Sequence, residues 1–190
     1  MNTDPLILEV LGPVARLTLN RPKAMNALNL ATLAAFERAL PELAAQDEIR
    51  VLVITGSGGA FCAGADLKEV TDGLRCAAGE PDFLDRARLV FAQLAAFPKP
   101  VIAALNGVTM AGGLELAMCA DLIVAVTTCD VRGVAAASAV VPALRAANPN
   151  VGLVVRGPSP GGLRAAEVAD VAEVPLLAAM RPEPMLAERL

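Results

Sequence analysis

The residues best suited to chemistry lie in Phe97 to Asp121, where an apolar run, Val101 to Leu105, leads through Gly112-Gly113 into Leu114-Glu115-Leu116-Ala117-Met118. Read locally, this is a strand, a glycine turn and a helix. The first N–H groups of a helix have no partner within it and carry partial positive charge, so the Gly112-Gly113 step can offer a donor to a developing oxyanion without steric hindrance. Glu115 follows Gly112 by three residues and therefore shares its helix face. A proton-transfer group beside an oxyanion donor is what enolate chemistry needs. The bland reading is a close-packed helix entry carrying an acid that favours the helix dipole by about 0.3–1 kcal/mol. The apolar neighbours of Glu115 instead predict a buried carboxylate, which would cost stability unless it had a use.

A second candidate segment is Ala60-Phe61-Cys62-Ala63-Gly64-Ala65-Asp66-Leu67-Lys68, which follows the β-rich run Val51 to Thr55 and the loop Gly56-Ser57-Gly58-Gly59. Its small residues allow a ligand to approach the backbone. A third segment is Arg21-Pro22-Lys23-Ala24-Met25-Asn26-Ala27-Leu28. Other formal motifs carry less. The glycine loop at 56–59 lacks the third glycine of a dinucleotide fingerprint, because Phe61 stands there. Gly157-Pro158-Ser159-Pro160-Gly161 matches a nucleophile elbow only in letters, since its prolines and the absence of histidine from the chain remove the chemistry.

The elements that must position these segments are legible from periodicity. Leu6 to Leu11 and Val14 to Leu19 read as two strands joined at Gly12-Pro13. Asn29 caps a helix with Leu33, Phe36, Leu40 and Leu43 on one face, which Pro41 is expected to end or kink. Arg50 to Thr55 is a buried strand. Asp82 caps a helix reaching about Phe97, and Val101 to Leu105 and Leu122 to Val126 are further strands around the Glu115 helix. Strands alternating with helices predict an α/β domain over 1–126. From Thr127 onward Phe, Ile and Lys are absent and seven of the chain's 14 prolines occur. This predicts a tail, 127–190, of loops and short helices, one of them within Gly161 to Val174.

With 55% hydrophobic residues, the 190-residue chain has ample material for a core. A net charge of −4 without a dense basic run argues against a nucleic-acid partner. Without histidine there is no Ser-His-Asp or Cys-His catalysis, and carboxylates are left as the acid–base candidates. Cys62, Cys76, Cys119 and Cys129 form no Cys-x-x-Cys pair, so reduced structural thiols are expected rather than a metal site or disulfides. No signal peptide is evident at the N-terminus, and Asn106, Glu115 and Asp121 interrupt the one long apolar stretch. A cytoplasmic protein with no membrane association is the expectation.

Taken together, in order and spacing, the segments at 21–28, 60–68 and 97–121 resemble those of the crotonase (enoyl-CoA hydratase/isomerase) family, over roughly residues 6 to 126. The resemblance implies an α/β, crotonase-like (ClpP/crotonase) spiral of repeated ββα units, incomplete at the C-terminus, and an enoyl-CoA hydratase-like lyase or isomerase of fatty acid metabolism. It implies an acyl-CoA substrate, no cofactor beyond the coenzyme A of the substrate itself, and a homo-trimer or hexamer. Carried over by position, the backbone amides of Ala65 and Gly112 form the oxyanion hole and Glu115 is the catalytic acid–base group. Lys23, Ala24, Met25, Ala63, Ala65, Asp66, Leu67, Lys68 and Gly112 line the coenzyme A and thioester. The charge of Lys68 suits a phosphate or simply solvent. Hydratases of the family use a second glutamate about twenty residues after the first. Here Val134-Ala135-Ala136-Ala137 occupies that region, and no acidic side chain occurs between Asp130 and Glu167. The alternative reading is therefore a catalytically impaired acyl-CoA-binding fragment of the same family.

Overall fold

The computed structural model describes residues 4–73 and 82–181. Cys76 lies outside them. The chain divides into two compact units, 1–123 and 124–190.

In the first unit, β1 (Leu6–Leu11) and β2 (Val14–Leu19) form the expected antiparallel hairpin, Leu6 opposite Leu19. After a 3-10 turn over Pro22–Ala24 comes α1 (Leu30–Ala44), capped by Asn29, whose side chain accepts from the Thr32 amide at 2.9 Å. Pro41 does not end α1. The helix runs another turn to Ala44, where burial of Leu40 and Leu43 on either side of the proline outweighs the one hydrogen bond it forfeits.

β3 (Val51–Gly56) joins β2 in parallel, and β5 (Val101–Leu105) joins β3 in parallel. Between them lie β4 (Ala60–Cys62), α2 (Leu67–Gly73) and α3 (Phe83–Ala95), the last capped by Asp82 through the Asp85 amide at 2.9 Å. The sequence reading assigns no element to α2; the Asp66 carboxylate accepts from the Lys68 amide at 3.2 Å and so starts it. β6 (Val108–Thr109) pairs with β4 in a separate two-stranded sheet, and α4 (Gly112–Met118) follows. Each of β3-β4 and β5-β6 thus sends its first strand to the main sheet and its second to the small one before a helix. This is the repeated ββα pattern. Phe36, Leu33 and Leu43 of α1, Val90 and Leu94 of α3, and Leu17, Leu52 and Ile54 of the sheet are buried together as the core. Arg86 of α3 donates to Glu37 of α1 at 3.0 Å through Nε, joining the two helices at their rim.

The division between the units falls within β7 (Leu122–Thr128). The second unit holds α5 (Val131–Ala147), β8 (Val151–Arg156), α6 (Ala165–Ala172) and β9 (Leu176–Met180), with β8 and β9 parallel. The short helix expected within Gly161 to Val174 is α6, but the expectation of loops and short helices for the rest of this stretch is corrected. The Ala-rich run after Asp130 forms a 17-residue helix through Pro142, capped by the Asp130 carboxylate on the Gly133 amide at 2.7 Å. The Val151 to Val155 run then supplies a buried strand. Proline frequency misled because most of the prolines fall in the connections rather than in the elements. Among the described residues no helix is long and apolar enough to cross a membrane.

Candidate functional site

Three segments of the first unit meet around the Gly64-Ala65 peptide. β4 ends at Cys62, and the backbone turns through Gly64 at φ 109, a conformation that a side chain would strain. The turn lies against the entry to α4: a Cβ on Gly64 would sit 3.3 Å from the Met110 carbonyl and 3.4 Å from the Gly112 nitrogen. A Cβ on Gly112 would sit 3.6 Å from the Ala65 nitrogen. Both sequence-derived amide positions are therefore side by side, held by the β4–β6 pairing and by the Met110 amide bonding the Cys62 carbonyl at 3.0 Å.

The hydrogen-bond pattern around them is selective. Ala63 donates to Met25 at 3.0 Å, Gly64 to the Cys62 sulfur at 3.4 Å and Asp66 to Leu28 at 2.8 Å, yet the Ala65 N–H has no acceptor among the described residues. On the other side Met110, Gly113, Leu114 and Glu115 all donate, while the Ala111 and Gly112 N–H groups have no acceptor among the described residues. Each of the two peptide planes is fixed through its carbonyl. Gly64 O accepts from Leu28 at 2.7 Å, and Ala111 O accepts from Leu114 and Glu115 at 2.8 and 3.1 Å. Because a trans peptide points its C=O and N–H to opposite sides, each fixed carbonyl also fixes the direction of an unpaired donor. Ala111 adopts φ 46, ψ −126 to begin α4, a conformation costing about 1–3 kcal/mol for a residue with a side chain. Neighbouring N–H groups held in this way, without acceptors among the described residues, are the kind of donors that can serve an anionic oxygen.

The position of Glu115 departs from the sequence expectation. Gly113, Leu116 and Ala117 form the buried face of α4, and Glu115 is exposed, one turn beyond Gly112. Helical geometry explains this: the apolar neighbours in sequence point elsewhere around the axis, so they do not bury it. Burial pushes the Cys119 thiol up, and the Glu115 charge adds to that; burial likewise raises Cys62. Both thiols therefore stay protonated at neutral pH, in keeping with structural cysteines.

The remaining predicted contacts spread along the rim. Lys23 is exposed, Ala24 half-buried, and Met25 53% exposed at φ 47 with its carbonyl bound to the Ala63 amide. Ala63 and Ala65 are half-buried, whereas Leu67 and Lys68 are exposed. Asp66 instead turns to Arg21, at 2.8 Å. Sequence reading assigned no role to Arg21, Asn26 or Asn106, although all three build the site. Buried Asn26 accepts from the Arg21 amide and donates to the Ser57 and Ala60 carbonyls, and Asn106 accepts from the Gly56 amide at 3.0 Å. An asparagine in an otherwise apolar or glycine-rich setting was the only available signal.

The Arg21 hydrogen bond holds the Asp66 carboxyl below the usual carboxylate range, against the opposing effect of partial burial. Folded Asp66 thus takes up a proton less readily than it does in the unfolded chain. The pair's contribution is complete above the unfolded value and is lost as pH falls through the lower folded value. Glu37, lowered by its hydrogen bond to Arg86, acts in the same direction. Urea unfolding measured between pH 6 and 2.5 should show stability falling below about pH 4. Asp66→Asn should be less stable at pH 6 and show a shallower acid-side slope; an unchanged slope would contradict the pairing.

The ββα repeats define an α/β protein of the crotonase fold. The family model for Enoyl-CoA hydratase/isomerase matches residues 10–137, and the chain belongs to that family. It is 40% identical over 126 residues to a short-chain-enoyl-CoA hydratase of Clostridium acetobutylicum, covering 66% of this chain and 48% of that protein. A 71-residue stretch, 37% of the chain, is 72% identical to an uncharacterized protein of Mycobacterium tuberculosis, covering 20% of it. Among solved structures, a putative enoyl-CoA hydratase/isomerase from Acinetobacter baumannii matches with TM-score 0.61 at 28% identity, over 67% of this chain and 51% of that one. The chain spans about half or less of the length of these curated relatives.

Proposed function

We propose that this protein binds an acyl-CoA thioester and stabilises its enolate, the thioester oxygen accepting from the amides of Ala65 and Gly112. The observation that supports the reading is that these two N–H groups, on adjoining loops, have no acceptor among the described residues. In the step proposed, the Glu115 carboxylate takes the proton from the α-carbon. The C–H electron pair becomes the enolate π bond, and the carbonyl pair moves onto the oxygen between the two donors. Exposure of Glu115 lets it exchange that proton with water. Each donor of such a pair is worth about 3–4 kcal/mol in comparable sites. Met25 and the 63–68 segment would lie along the coenzyme A, with the exposed cations Lys23 and Lys68 available to its phosphates.

Enolate formation needs one proton acceptor, and water addition needs a second acid–base group. The test therefore pairs a butyryl-CoA binding titration with solvent-deuterium exchange at its α-carbon, and crotonyl-CoA hydration is run alongside. Binding and exchange are both expected. Gly112→Ala, whose methyl would meet nothing closer than 3.6 Å, should keep the fold. It should lower exchange by about 10²–10³-fold, since the methyl would stand 3.6 Å from the Ala65 nitrogen, where it crowds an oxygen bound there. Failure to bind either thioester overturns the reading, and binding without exchange or hydration reduces it to the acyl-CoA-binding alternative.

A further inference from the structure

We propose that Arg21 is a positioning residue: its guanidinium, spanning Ala27 and Asp66, sets the direction of the Ala65 N–H and so acts on the reaction without touching the thioester. This rests on the reading of the Ala65 amide as a donor. The Ala65 N–H is aimed by what holds the other side of its peptide, and that is the Leu28 amide on Gly64 O at 2.7 Å. Leu28 O in turn accepts from the Asp66 amide at 2.8 Å, making an isolated parallel bridge between Leu28 and Ala65. Such a two-bond bridge has no neighbouring ladder to fix its register.

Beside the Ala63 amide on the Met25 carbonyl at 3.0 Å, Arg21 supplies a side-chain constraint. Nη1 donates to the Ala27 carbonyl at 2.5 Å and Nη2 to the Asp66 carboxylate at 2.8 Å, so one planar group grips the residue before Leu28 and the residue after Ala65. The Arg21 backbone is itself held, its amide donating to buried Asn26 at 2.8 Å. A guanidinium fork can hold two acceptors at a set angle, which a lysine ammonium does less well. With side chains 25% and 20% exposed, the pair is partly withdrawn from solvent. Movement of the Gly64–Ala65 peptide by about 1 Å would misalign the donor, an error that can cost on the order of 10²-fold in rate.

The full chain and its Arg21→Met, Arg21→Lys and Asp66→Asn variants are compared by α-proton exchange of butyryl-CoA and by the amide resonances of Ala65 and Gly112. Arg21→Met should lower kcat by about 10- to 100-fold with KM within about twofold. Arg21→Lys should recover part of the loss, and Asp66→Asn should resemble Arg21→Met. In Arg21→Met the Ala65 amide resonance should shift or broaden and its hydrogen exchange accelerate, with Gly112 unmoved. That resonance readout needs no turnover, so it tests the positioning role even if the parent chain exchanges no proton, an outcome that would count only against the proposed function. Should Arg21→Met not fold, Arg21→Lys and Asp66→Asn carry the same measurements. An unmoved Ala65 resonance, or a lowered melting temperature with kcat unchanged, overturns the proposal.

Discussion

Gly113→Ala is expected to destabilise the first unit by about 3 kcal/mol or more. A Cβ at Gly113 would lie 2.2 Å from the Cys62 carbonyl oxygen and 2.7 Å from the Cys62 Cβ. Both belong to β4, and the nearer is backbone, so no side-chain rotation relieves the overlap. α4 would have to lift off β4, and the same displacement would part the Ala65 and Gly112 amides. The neighbouring Gly112→Ala, with its nearest contact at 3.6 Å, should stay within about 1 kcal/mol of the parent. Urea unfolding followed by circular dichroism suits a chain without Trp or Tyr. If the two alanine variants unfold alike, the close approach of α4 to β4 is wrong.

Glu115→Gln should abolish turnover, lowering α-proton exchange by about 10²–10⁴-fold, the usual worth of a positioned general base. The amide keeps the shape of the side chain and removes its basicity. Because Glu115 is exposed and lies off the buried face of α4, the fold should lose less than about 0.5 kcal/mol. Butyryl-CoA affinity should stay within about twofold, since the thioester oxygen is held by backbone donors in this reading. Exchange retained at parental rate would remove Glu115 from the proposed chemistry while leaving the amide pair standing.

Much of the first unit was legible because its signals are local. The bounds of β1, β2 and β5 follow from β-rich runs closed by Gly or Pro, and Asn29 and Asp82 both cap the helices expected of them. Local signals also misled. Pro41 and Pro142 sit inside helices, because burial on both sides of each proline outweighs the missing bond. Glu115 read as buried from its sequence neighbours, whereas helical rotation sends those neighbours to another face. In the second unit, β8 was written plainly in Val151 to Val155 and was obscured only by the prolines around it.

The sequence by itself determined which groups are present and in what order: carboxylates without histidine, small residues at 63–65, and a glycine step before Glu115. Those follow from composition and from interactions a few residues long. Only the tertiary structure decided that the Ala65 and Gly112 amides lie close together, without acceptors among the described residues, and that Arg21 grips Asp66 from 45 residues away. Such neighbours are made by β4 pairing with β6 and by close glycine packing. Those contacts depend on the whole unit closing, and no local pattern of residues encodes the distance between two loops.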